Sequence, residues 1–190
     1  MLAPAGFDLA DPGIRNVLGH DHWHPDIPAV AEVITGGSVR MECPGAEPGA
    51  EVLLCGPLVV VGAEPGDVIV VDVLAVGRSG GVHDSGGHPG IIGCAPSAAA
   101  PVPSGARGRD VGGCRIAPLA AGSRILLPVH VRGAKLSAGD LHFPAPRSYD
   151  CGGAAQAGWI DLRINLTRRG VERFRVAGPM LMPDPSPSMV

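Results

Sequence analysis

Apolar and polar positions alternate with a period of two in several short runs separated by glycine and proline, the signature of half-buried β-strands rather than helices. The longest run is GWIDLRINLTRRG, from Gly158 to Gly170. It places Ile160, Leu162, Ile164 and Leu166 on one face and Asp161, Arg163, Asn165 and Thr167 on the other. SVRMEC (Ser38–Cys43) alternates in the same way after the Gly36–Gly37 turn, while Leu53–Leu54 and Leu58–Gly62 flank Gly56–Pro57. VIVVDVLAV (Val68–Val76) is so dense in β-branched residues that it predicts a strand buried on both faces. SRILLPVHV (Ser123–Val131) predicts another, with Pro128 disfavouring a central, fully paired position. Between strands, AEPGD (Ala63–Asp67) carries the Pro-Gly pair of a type II turn. AEPGA at Ala46–Ala50 matches it, which suggests a repeated turn–strand unit.

Elsewhere the pattern fades. From Gly77 to Asp110 the chain reads as a glycine-, proline-, serine- and alanine-rich connection interrupted by GHPGIIGCAPS (Gly87–Ser97), and Ala99–Asp110 is its least regular part. Helix signals are weak, with room for one turn in Gly133–Asp140. Residues 1–18 read as an irregular lead-in, 19–183 as one β domain and 184–190 as a flexible tail. The fold class expected is mostly β: a single-domain sandwich with few short helices.

Composition sharpens this picture. A chain of 190 residues suffices for one well-buried domain. Aromatics make up only 3% against 45% hydrophobic residues, so Val, Ile, Leu and Ala must build the core. A net charge of −3 with sparse arginines (Arg107, Arg109, Arg168, Arg169) excludes a nucleic-acid footprint. No apolar run is long enough to span a membrane and no signal peptide opens the chain, so a cytoplasmic location is expected. The five cysteines (Cys43, Cys55, Cys94, Cys114, Cys151) form no close pair in sequence and are expected to be reduced thiols. Exposed strand edges and an apolar surface predict a homo-oligomer, a dimer first.

The candidate chemistry lies in histidine. GHDHWHPDIPAV (Gly19–Val30) sets His20, His22 and His24 at every second position. On an extended backbone these share one face and would converge on one ion or substrate. His83, His88, His130 and His142 lie beside glycine, proline or aspartate rather than inside apolar runs. Asp140 and His142 are two apart, so a continuous strand would turn both into one pocket, with Asp140 orienting the imidazole. The plainer alternative has Asp140 capping a turn after Gly139 and His142 packing beside Phe143.

Five segments in order, HDHWHPDIPAV, GPLVVVGAEPGDVIVVDVL, HPGIIGCAPS, GSRILLPVHVRGAKLSAGDLHF and CGGAAQAGWIDLRINLTRRGVE, resemble the acetamidase/formamidase family and span most of residues 19–173. The resemblance implies a predominantly β, jelly-roll-like sandwich, an oligomer, and cleavage of small amides to acid and ammonia. It also implies a divalent metal, zinc first, in some members, and no organic cofactor. Under it, His142 and Asp140 would transfer protons, His20, His24 and His88 would hold the metal, and His22, Trp23, Cys94, Arg115 and Tyr149 would contact a small-molecule substrate. The chain is about half the length of a full member, with loop material missing between Cys43 and Leu53 and between Val76 and His88, and the rest past Pro183.

Three acidic family positions also differ. Arg115 replaces an aspartate, PAPRSYD (Pro144–Asp150) replaces an acidic loop after GDLHF, and Ala155 replaces a glutamate. Amide hydrolysis needs an activated water, an oxyanion stabiliser and a proton donor for the leaving nitrogen. Three readings follow in order: a trimmed amide hydrolase, a scaffold repurposed for acid–base chemistry (cyclase, isomerase or lyase), and a non-catalytic small-molecule binding module.

Overall fold

In the run from Gly158 to Thr167 the expected alternation is realised. Ile160, Leu162 and Ile164 have no exposed surface, whereas Arg163 is exposed. The computed structural model describes residues 19–47, 49–105, 111–114, 116–144 and 154–182. The lead-in 1–18, the tail 184–190, Arg107, Arg109, Cys151 and the expected substrate contacts Arg115 and Tyr149 lie outside the described residues.

Two five-stranded sheets pack face to face. The first has the order β2 (Ala31–Val33), β4 (Leu54–Val60), β10 (Leu136–His142), β6 (His88–Cys94), β8 (Val111–Gly112). The second has β12 (Met180–Met182), β9 (Arg124–Pro128), β5 (Val68–Arg78), β11 (Gly158–Thr167), β3 (Gly37–Cys43). Neighbours are antiparallel except β2 with β4. A two-stranded ribbon pairs β1 (His22–Trp23) with β7 (Val102–Pro103). The one helix among the described residues is α1, Gly170–Phe174. The core between the sheets takes Leu58, Ile92, Leu136 and Leu141 from the first and Ile69, Val71, Val73, Ile160 and Ile164 from the second. A second cluster of Trp23, Leu54, Ile91 and Val111 forms apart from it. No helix among the described residues is long and apolar enough to cross a membrane.

Several expectations change. β5 is not buried on both faces: Leu74 is 39% exposed, because only one face of its sheet is covered by the other sheet. The two apolar runs that flank Gly56–Pro57 belong to one strand. β4 runs through the pair, and the register against β10 shifts between Leu136 and Ala138, where a bulge takes up the extra residue. Gly133–Asp140 holds no helical turn; a tight turn ends at Lys135 and β10 begins at Leu136. The interruption at GHPGIIGCAPS is a strand over His88–Cys94, and all seven residues of β6 are buried. Cys43 and Cys55 are disulfide-bonded, not reduced: β3 and β4 bring their Cα atoms to 5.0 Å, and the bond ties the two sheets together.

Other expectations hold. Pro128 ends β9, so its missing N–H interrupts nothing. In AEPGD the Asp67 N–H donates to Glu64 O, with Gly66 at φ 92°, as a type II turn requires. AEPGA closes the same turn, from Ala50 N–H to Glu47 O.

Candidate active site

The chemistry gathers on β10 and its neighbour β6. Their antiparallel register sets His142 opposite His88, Leu141 opposite Pro89 and Gly139 opposite Ile91, so Asp140 falls against Gly90. Asp140 is in the left-handed region at φ 56°, a conformation that non-glycine residues adopt at a cost. Its carboxylate takes the space that a side chain at position 90 would fill. A Cβ there would overlap Asp140 Oδ2 and come within 2.6 Å of its carbonyl oxygen, so glycine at 90 is a condition of the arrangement.

That backbone turn also resets which way β10 faces. Leu136 and Ala138 belong to the core between the sheets, and so do Leu141 and Phe143, although strict alternation would separate the two pairs. Ser137, flanked by the first pair, and His142, flanked by the second, are therefore both turned to the face away from that core. Ser137, Asp140 and His142 are all buried.

His142 Nε2 lies 3.3 Å from Asp140 Oδ2. The contact is out of line for a hydrogen bond, and Nε2 is a buried nitrogen without a hydrogen-bond partner. The His88 ring sits beside that of His142, with centroids 5.7 Å apart and planes at 33°. His88 Nδ1–H donates to Gly86 O at 2.9 Å, since a carbonyl can only accept. Burial is the largest influence on His88 and holds its pKa below the ordinary imidazole value. The neighbouring His142 acts in the same direction, against the Gly86 carbonyl and the carboxylates of Asp140 and Asp84.

The alternating histidines do not share a face, because the chain bends at Asp21. His20 bridges to Leu54 of the first sheet, whereas His22 pairs with Pro103 in the ribbon. His22 Nδ1–H donates to Asp21 Oδ1 at 2.7 Å near the surface, and His24 Nδ1 accepts from the Asp26 N–H at 3.2 Å. Only His20 reaches β10. Its Nε2 lies 2.9 Å from Ser137 Oγ and its Nδ1 lies 2.7 Å from His22 O. Burial is again the largest influence and lowers its pKa. Trp23 meets the His20 ring edge-on and is buried, with its indole N–H unpartnered.

The expected ligands His20, His24 and His88 are thus not brought together. Among the described residues no three His, Cys, Asp or Glu side chains are placed to hold a metal ion. Among the described residues the expected donor set does not fit the metal that the family resemblance implies, and no step is derived through one. Cys94 lines no site either: it packs in the core between the sheets, where burial pushes its thiol far above the ordinary value. Ser137 was missed by sequence reasoning, because a serine among Leu, Ala and Gly has no spacing signal of its own.

A cleft of about 590 Å³ lies elsewhere, walled by Arg40, Glu42, Ser79, Gly81 and Trp159, and none of the site histidines lines it. Its principal cation is already engaged: Arg40 makes a two-point bond to Asp161, 2.7 Å on each arm, and stacks on Trp159. The chemistry therefore favours the buried cluster over the cleft.

Residues 98–189 match the model of the acetamidase/formamidase family. A formamidase of Methylophilus methylotrophus is 29% identical over 277 residues, covering 87% of this chain and 68% of that protein. An acetamidase of Mycolicibacterium smegmatis is 27% identical, covering 88% of this chain and 70% of that protein. Since a match of 277 residues is made with a chain of 190, the relative contains segments that this chain lacks. Among solved structures, a gamma lactamase from Delftia acidovorans superposes with a TM-score of 0.70 at 22% identity, covering 95% of this chain and 71% of that one. An acetamidase from Yersinia enterocolitica gives 0.74 at 16% identity, covering 87% and 68%. At these identities the structural likeness speaks for the fold alone.

Proposed function

We propose that this chain, whose residues 98–189 match the acetamidase/formamidase family model, hydrolyses the C–N bond of a small amide, with His142 and Asp140 as the proton-transfer pair. The observation that carries this reading is His142 Nε2, a buried nitrogen with no hydrogen-bond partner beside a buried carboxylate. Buried polar atoms are nearly always satisfied, and exceptions concentrate where a substrate or water completes the bonding.

In the proposed reaction Nε2 takes a proton from the attacking water, and the water oxygen bonds to the amide carbon. The same Nε2–H then protonates the departing nitrogen, and the C–N bond breaks to give acid and amine. The Asp140 carboxylate stabilises the transient imidazolium from 3.3 Å. Its burial strengthens that attraction relative to water. Arg115 and Ala155 stand where the family resemblance implies acids, and Asp140 is the carboxylate that lies beside His142.

The test is ammonia release from formamide and acetamide. His142→Ala should lower turnover at least about a hundredfold, the lower end of what a positioned acid–base group contributes. Asp140→Asn should lower it less, because the imidazole remains. Undiminished turnover in His142→Ala would overturn the assignment.

A further inference from the structure

Ser137 and His20 form a constellation that the amide-hydrolysing pair does not use. Ser137 Oγ is 2.9 Å from His20 Nε2, and the other ring nitrogen, Nδ1, is 2.7 Å from His22 O. A carbonyl oxygen accepts only, so Nδ1 carries the ring proton and Nε2 presents its lone pair. The Ser137 hydroxyl must then be the donor. The geometry is that of a nucleophile, a base and a third group that fixes the tautomer of the base. We propose that Ser137 is an acylatable nucleophile with His20 as its base, forming a site for small acyl donors separate from His142 and Asp140.

A second observation points to a ligand at this place. Trp23, whose ring meets His20 edge-on with centroids 6.3 Å apart, holds a buried indole N–H without an acceptor. A carbonyl oxygen arriving with an acyl donor would satisfy it and would gain a donor as negative charge develops. A serine held only for packing accounts for the bond to His20, but not for the open indole N–H on the ring that meets His20.

In the reaction, Oγ attacks the acyl carbon as its proton passes to His20 Nε2. The tetrahedral adduct collapses, the bond to the leaving group breaks, and Nε2–H protonates that group as it departs. Water then attacks the ester on Ser137, giving its proton to Nε2, and Nε2 returns a proton to Oγ as the carboxylic acid leaves. Ser137 has no exposed surface, so acylation requires a local opening around Oγ that leaves the Ser137–His20 bond in place.

The full chain is incubated with p-nitrophenyl acetate, then analysed by intact mass and peptide mapping while nitrophenolate release is followed. One acetyl adduct at Ser137 is expected. Ser137→Ala should lose it, Ser137→Cys should regain an adduct on sulfur, and His20→Gln should slow the burst at least about a hundredfold. The absence of an adduct at Ser137 in folded wild-type protein, or an adduct confined to other residues, overturns the proposal. If Ser137→Ala does not fold, the wild-type map and Ser137→Cys still decide it. The adduct is read at a named residue whatever happens to amides, so this result stands apart from the His142 test.

Discussion

The left-handed backbone at Asp140 makes a prediction that separates conformation from chemistry. Asp140→Gly and Asp140→Ala both remove the carboxylate, and they differ by one methyl group. At an ordinary strand position alanine is the more stable of the two by roughly 0.5–1 kcal/mol, because glycine loses more backbone freedom on folding. At φ 56° the order should invert. Alanine where φ is positive destabilises by more than the ~0.4–1 kcal/mol it would otherwise gain, so the glycine variant should be the more stable by about 1 kcal/mol. For a chain of this size that corresponds to roughly 2–4 °C in Tm. Urea midpoints with a common slope give the difference directly, and the variants cancel every interaction that the carboxylate makes. An alanine variant as stable as the glycine variant would refute the left-handed assignment. Amide turnover adds a second reading: both variants should lose it equally. Retention of activity by Asp140→Gly would show that the residue serves the backbone rather than the reaction.

Gly90→Ala should abolish amide turnover and cost about 1–3 kcal/mol of stability, measured by urea denaturation, because its Cβ overlaps the Asp140 carboxylate and comes within 2.6 Å of the Asp140 carbonyl. Wild-type stability with reduced turnover would instead mean that the carboxylate moved aside at no cost. Asp67 provides a pH test. Burial would raise its pKa, but that is outweighed by the Arg169 and Glu64 N–H groups and the Arg168 guanidinium, at 2.8, 3.1 and 2.9 Å, which hold it below the usual carboxylate value. A depressed folded pKa contributes stability that is present above the unfolded value, near 3.9, and is lost as pH falls through the folded value. Asp67→Asn should therefore be less stable than wild type at pH 7, and its urea midpoint should fall less between pH 5 and pH 2.

The strands that alternate were legible in the sequence because only one of their faces is buried. β11 and β3 have their polar residues where water is, and their boundaries fall within a residue or so of the period-two pattern. The two strands that carry the candidate site were not legible. HPGIIGC and LSAGDLH contain Gly together with Pro or Asp, residues depleted in strands, and both are buried along their whole length, which removes the alternation. The histidine triplet misled for a different reason. Its period of two is genuine, but it predicts a shared face only if the backbone stays extended, and the backbone turns at Asp21 from one pairing partner to another. The disulfide was hidden as well: Cys43 and Cys55 are 12 apart in sequence and meet only because β3 and β4 sit on facing sheets.

The features that made β10 hard to read are those that make it chemically useful. A regular strand presents residues of the same parity on one face, so Ser137 and His142, five positions apart, would point to opposite faces. The core membership of Leu136 and Ala138 on one side of Asp140, and of Leu141 and Phe143 on the other, shows that the phase changes between them. Asp140 supplies that change through its backbone and a carboxylate through its side chain, and Gly90 opposite makes room for both. One left-handed residue thereby turns a serine with a histidine base and a histidine with a carboxylate to the same side of a single strand. An uninterrupted strand would send His142 into the apolar core, where its unpartnered nitrogen would have neither water nor substrate to meet. Local strain at Asp140 is sustained because the strands on both sides of β10 and the opposite sheet hold it in place, and that is the condition under which a costly backbone conformation persists.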